Sequence, residues 1–152
     1  MTTYADSSAL ILLYVNERFS ESADAALRDA GPIPFTALHQ LEIPNAFERL
    51  VGRELMTREE RDTVQRQLRS DVDSHRLTPI SIDLDEVFAH ASELSSRYAA
   101  RHLARSLDLL HVAAAHASNC TKFVSADDRQ LAVAKASGLK IVDIKRGARP
   151  KR

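Results

Sequence analysis

A chain of 152 residues, 44% hydrophobic and 28% charged, has the size and balance of one globular domain and excludes a disordered segment. Folding at this size removes roughly 68–70% of the unfolded chain's surface from water, enough for a core without disulfides. Lys and Arg number 21 and so do Asp and Glu, which excludes nucleic-acid binding by bulk positive charge; any polyanion must be met by local patches.

The single cysteine, Cys120, allows neither an internal disulfide nor a zinc site built on paired cysteines. The first apolar run, Ala9 to Val15, is far short of the roughly 20 residues that span a bilayer. No basic region precedes it and Asp6 stands at its edge, unlike a signal peptide. The expectation is a soluble, reduced, cytoplasmic protein without membrane contact.

In chain order, Thr3-Tyr4-Ala5 predicts a strand leading into a helix over Ser8–Val15. Ile33-Pro34-Phe35 predicts a second strand, before a helix from about Ala37 to Val51 that Pro44 weakens unless it falls in the first turn. Thr57 with Glu60 three residues on forms a capping-box pattern for a polar helix over Glu59–Val72. Pro79–Ile82 is a strand candidate, followed by Asp83 or Asp85 as the cap of a helix to about Ala100. Ser106 is the expected cap of Leu107–Ala117. Lys122–Ser125 predicts a strand, Asp128–Ala136 a helix, Gly138 its stop, and Lys140–Val142 the last strand. Strands alternating with helices predict βαβ units. The fold class is α/β: a single three-layer α/β/α domain with a mostly parallel central sheet over residues 1–144, and a basic tail over 145–152.

Four acids stand out. Asp6 follows the first strand, either as a helix cap or as a ligand at the carboxyl end of a parallel strand. Glu42 shares a helical arc with Asn45 and Arg49, beside Leu38; an ion pair with Arg49 is the bland alternative. Asp108 lies in Leu107–Ala115, a stretch apolar nearly all round, and burying an isolated carboxylate is costly. Its place in the first turn offsets only about 0.3–1 kcal/mol. Of Asp127 and Asp128, one is expected to cap the next helix and leave the other free to face the strand ends. All four can reach one end of one sheet. Carboxylates so gathered repel one another, and a hard divalent cation holds them ionised together; Mg²⁺ suits oxygen ligands and keeps several waters. One or two such ions generate hydroxide and neutralise charge on a phosphoryl group.

Tyr4–Leu10, Leu41–Ala46, Arg105–Ala115 and Val124–Leu131 together resemble the PIN domain, and more narrowly VapC-type toxin ribonucleases of toxin–antitoxin pairs. The resemblance runs over essentially the whole chain. It implies that Asp6, Glu42, Asp108 and Asp127 are the catalytic, metal-holding quartet, and that Ser8, Asn45 and Ser125 orient ligands or metal waters. It further implies Mg²⁺- or Mn²⁺-dependent endonucleolytic cleavage of RNA, a homodimer, and inhibition by a small cognate antitoxin docking near the site. Ala126 departs from the bulkier or polar residue common there, and Asp128 is a second candidate for the fourth acid.

Arg97, Arg101 and Arg105, spaced at i+4, predict a basic stripe leading towards Asp108 for RNA backbone contacts, with a solvated face and a Glu93–Arg97 pair as the alternative. The tail is a second basic candidate. His111 reads as a hydrogen-bonded core histidine rather than a general base; His39, His75 and His116 supply no nucleophile–base–carboxylate set. Two other classes stay open. A receiver-like metal-binding module would need a Lys partner for an acid such as Asp83. A non-catalytic RNA- or partner-binding relative has no reason to keep four acids facing a polyanion. An Asp-x-Asp phosphatase is disfavoured by Ser8.

Overall fold

The computed structural model describes residues 1–146. Five short strands carry the domain: β1 (Thr3–Ala5), β2 (Ile33–Phe35), β3 (Leu77–Pro79), β4 (Lys122–Ser125) and β5 (Lys140–Asp143). Between them run α1 (Ser7–Ile11), α2 (Ser20–Leu27), α3 (Ala37–Gly52), α4 (Arg58–Asp73), α5 (Leu84–Leu94), α6 (Ala100–His102), α7 (Ser106–Ala117) and α8 (Asp128–Ala136). Successive strand side chains point to opposite faces, and the core divides accordingly. Tyr4 and Phe123 join α5, α7 and α8 on one face; Ala5 and Val124 join α1 to α4 on the other. This is the expected three-layer α/β/α arrangement, with Tyr4 and Phe123 stacked at 5.6 Å between centroids at its centre.

Among the described residues every strand pairing is parallel. β1 pairs with β4 and β4 with β5, while β2 pairs with β3 and lies alongside β1. From β1 the chain moves outward to β2 and β3, then returns to the other side of β1 for β4 and β5. The connections leaving β1 and β4 therefore diverge. In open parallel sheets such a divergence leaves a crevice at the carboxyl ends of the two strands, and Asp6 and Asp127 follow those two strands.

Several expectations shift. The third strand is Leu77–Pro79, not Pro79–Ile82. Parallel register with β2, Ile33 opposite Leu77 and Phe35 opposite Pro79, seats Leu77 fully in the core, whereas Ile82 packs at the edge of the opposite face. α1 stops at Ile11 and the chain turns through Leu12–Val15, where the Tyr14 hydroxyl donates to Asp71 of α4 at 2.6 Å. α2, anticipated by no strong pattern, hangs on Ala23 and Leu27, one turn apart and both buried. α3 runs unbroken through Pro44 from a Thr36 cap. The helix expected to reach Ala100 changes character: α5 ends at Leu94, Ser95–Ala99 form a π-helical turn, and Leu103, left-handed at φ 54°, ends α6. α7 begins at Ser106 with Arg105, not Ser106, as its cap. Lys145 and Arg146 of the basic tail pair with Asp128 and Asp143 at 2.6 and 3.4 Å; residues 147–152 lie outside the described residues.

Candidate active site

Asp6 leaves β1 and caps α1, its Oδ1 accepting the Ala9 amide at 2.9 Å. The Ser8 hydroxyl, shared between both oxygens at 2.8 and 2.9 Å, and the Ser125 hydroxyl, 2.7 Å from Oδ2, complete its shell. Burial raises the Asp6 carboxyl above its usual range, outweighing His111 and the bonds from Ser125, Ala9 and Ser8 that favour the anion. Cap and cleft acid are thus the same residue.

The same holds across the crevice. Asp127 caps α8 by accepting the Gln130 amide at 3.0 Å, and it also lines the cleft. The expected division of labour between Asp127 and Asp128 is therefore not found. Asp128 points to solvent and pairs with Lys145, which holds its carboxyl below the usual range.

Asp108, buried at the start of α7, accepts the Arg105 backbone N–H at 2.9 Å. The Arg105 guanidinium lies 3.7 Å from Asp108 and 3.6 Å from Asp127, spanning two of the four acids. The Gln130 side-chain amide reaches Asp108 Oδ1 at 3.4 Å, while its carbonyl oxygen is buried without a partner among the described residues. An unmatched buried acceptor costs free energy that a donor in the cleft recovers.

Glu42, half-buried on α3, is anchored from two sides. The Ser7 hydroxyl donates to Oε1 at 2.9 Å, and the His111 imidazole closes on the same oxygen. Burial pushes the Glu42 carboxyl up, but the bonds from His111 and Ser7 outweigh this and hold it below the usual range. The expected Arg49 partner is replaced by His111. Behind it, His39 fills the N3 place of α3's capping box: Nδ1 accepts the Thr36 amide at 3.0 Å and Nε2 donates to the Ala5 carbonyl at 2.8 Å. Burial, aided by nearby His111, pushes the His39 imidazole down to about 3.

Asp6, Glu42, Asp108 and Asp127 thus share one cleft of about 480 Å³, walled also by Ser8, Arg105 and His111. Ser125 lies fully buried beneath Asp6. Asn45 is exposed, is not part of the cleft wall and makes no hydrogen bond to Glu42. Glu42 is bonded instead by Ser7, the neighbour of the expected Ser8, and by His111. Arg97 and Arg101 are exposed on the π turn and α6; no Glu93–Arg97 pair forms among the described residues, and Arg105 lies beyond the helix end rather than on a continuous stripe.

Residues 3–136 match the PIN domain. The chain belongs to the PIN domain family. The match runs from β1 through α8 and so takes in all four acids. A crystal structure of FitAcB from Neisseria gonorrhoeae shares this PIN fold, with a TM-score of 0.69 over 95% of this chain and 99% of that one, at 14% identity. Among curated proteins, none matches the sequence. PIN domains are generally nucleases that use divalent metals.

The donor set here is all oxygen, as a hard cation requires. Among the described residues no three of His, Cys, Asp and Glu gather closely enough to grip one ion together. A divalent ion here would therefore be held by one or two carboxylates, with water in the remaining positions. The unmatched Gln130 carbonyl fits the same picture, as an acceptor for such a water.

Among the described residues no helix is long and apolar enough to cross a membrane.

Proposed function

We propose that this PIN domain is a metal-dependent endoribonuclease, the toxin of a VapBC-type pair, acting in the cytoplasm as a homodimer that a small antitoxin restrains. The observation that carries the reading is the convergence of Asp6, Glu42, Asp108 and Asp127, from four separate stretches of sequence, on one cleft at the divergence of β1 and β4. Likeness in fold to FitAcB is in keeping with it.

Asp6 and Asp108 are the acids best set to hold the ion, since each is buried and oriented by bonds that leave lone pairs over. Glu42 and Asp127 complete the shell through water. When bound, the divalent ion supplies a nucleophile at neutral pH and offsets charge growing on the phosphoryl group. Ser8 and Ser125 fix Asp6, and Ser125 also accepts the Asp127 amide at 3.0 Å, so one hydroxyl ties two acids together. Arg105, at the cleft wall, would meet a phosphate there through contacts that carry no base preference.

Incubating purified protein with total cellular RNA in Mg²⁺, Mn²⁺ or EDTA, and mapping new 5′ ends, tests the reading. Discrete cuts that EDTA abolishes are expected. A folded, metal-loaded protein that binds RNA and leaves it intact would instead be a non-catalytic relative.

A further inference from the structure

His111 presents a puzzle for packing alone. It sits on an apolar helix at 2% exposure, where a leucine would fill similar space without a polar atom. Both of its nitrogens are nevertheless engaged. Nε2 faces Glu42 Oε1, and Nδ1 faces the Tyr4 hydroxyl at 2.7 Å. These two buried polar groups, 107 residues apart in sequence, fix each other's orientation as well as filling volume.

The donor directions follow from the partners. The Glu42 carboxylate only accepts, so Nε2 carries the proton and donates to it. With one proton on the ring, Nδ1 keeps its lone pair and accepts the Tyr4 O–H. Tyr4 is fully buried, and burial holds its phenol protonated, so that donor is permanent. His39, with its ring only 5.3 Å from His111, takes no part, because both of its nitrogens are committed to Thr36 and Ala5. Ser7 donates to the same Glu42 oxygen as His111, and Oε2 receives no bond among the described residues.

We infer that Tyr4 and His111 form a buried relay whose function is to position Glu42: Tyr4 fixes the tautomer of His111, His111 and Ser7 pin Oε1, and Oε2 is presented to the cleft. Tyr4 belongs to β1, His111 to α7 and Glu42 to α3, so the relay links the sheet to the helical layers on both its faces at the site. His111 is a positioning residue that acts through Glu42. The inference rests on Glu42 being one of the metal-holding acids.

The test compares Tyr4→Phe, His111→Leu and His111→Gln with wild type, by calorimetric Mn²⁺ binding and by cleavage rate. Tyr4→Phe keeps the stack on Phe123 and touches neither Glu42 nor the cleft. It should still weaken Mn²⁺ binding, and His111→Leu should weaken it by roughly 10–100-fold, the usual cost of losing a group that orients a ligand. His111→Gln, whose amide can donate where Nε2 does, should recover much of the loss. Nitrogen NMR of the His111 ring in metal-free protein should show a protonated Nε2 and a hydrogen-bonded, unprotonated Nδ1 in wild type, and a mixed tautomer in Tyr4→Phe. Folded Tyr4→Phe and His111→Leu proteins that bind Mn²⁺ like wild type would overturn the relay, and so would a wild-type ring protonated on Nδ1. Failure of the metallonuclease reading looks different: wild type then binds no Mn²⁺ at all, and the ring tautomers, which need no metal, decide the relay by themselves.

Discussion

Ser125 Oγ donates to Asp6 Oδ2 at 2.7 Å across 119 residues of sequence, and the same oxygen accepts the Asp127 amide at 3.0 Å. One hydroxyl at the end of β4 therefore sets two acids on opposite sides of the crevice. It is wholly buried, so water cannot replace it freely. Ser125→Ala removes a bond to a charged group and orphans a backbone N–H. A loss of about 2 kcal/mol in stability is expected, together with weaker Mn²⁺ binding. Urea unfolding and metal titration of the variant check both; stability unchanged alongside unchanged metal binding would deny Ser125 this role.

Asp6 carries a cost in the metal-free protein. Its folded carboxyl pKa is raised by burial, so the folded state binds the proton more readily than the unfolded chain does. Stability from this group is complete below the unfolded pKa and is lost as pH rises through the folded one. At neutral pH the buried anion is therefore destabilising unless a cation joins it. Asp6→Asn keeps an equally good helix cap. It should melt higher than metal-free wild type at pH 7, yet lose the stabilisation that Mn²⁺ confers on wild type. Thermal melts with and without Mn²⁺ measure both effects.

His39 acts in the opposite sense. Its imidazole is pushed down to about 3, so it stays neutral in the fold while the unfolded chain takes up a proton below about 6.5. Its contribution is whole above the unfolded pKa and falls as pH drops from there towards the folded one, by about 1.4 kcal/mol per pH unit. His39→Gln should be less stable at neutral pH, because glutamine cannot reproduce both the Thr36 and Ala5 bonds. The gap between it and wild type should close on acidification below pH ~6.5 at that slope. Denaturant unfolding of both proteins across that range supplies the comparison; parallel curves would contradict a neutral buried His39.

Arg105 divides its roles by sign. Its guanidinium stands between Asp108 and Asp127, where it competes with a bound cation, and its exposure leaves it free to meet phosphate. Arg105→Ala is expected to bind Mn²⁺ more tightly and RNA more weakly, with the salt dependence of RNA binding reduced by about one counterion. Loss of both affinities together would mean that Arg105 mainly supports the fold of the α7 cap.

Much of this architecture is written locally. β1, β4 and α8 lie where short apolar runs meet Asp and Ser caps, and those caps proved to be the cleft acids, since a cap at the carboxyl end of a parallel strand already faces the crevice. What local pattern does not carry is long-range choice. The alternation in Ile80-Ser81-Ile82 imitates a strand, but register with β2 selects Leu77. Asn45 shares an arc with Glu42, yet only Glu42 meets Ser7 and His111, and Asn45 stays in solvent. His111, three residues after Asp108 and on its side of α7, was legible as buried. Its bond to Glu42, 69 residues away, was not.

The most direct measurement sets wild type beside Asp108→Asn on one cellular RNA pool with Mg²⁺, Mn²⁺ or EDTA, after circular dichroism has shown both to be folded. A metal site built on Asp108 predicts discrete cuts by wild type that vanish with EDTA and with the substitution. Cuts that persist in Asp108→Asn, or a metal-loaded wild type that leaves every RNA intact, would contradict it.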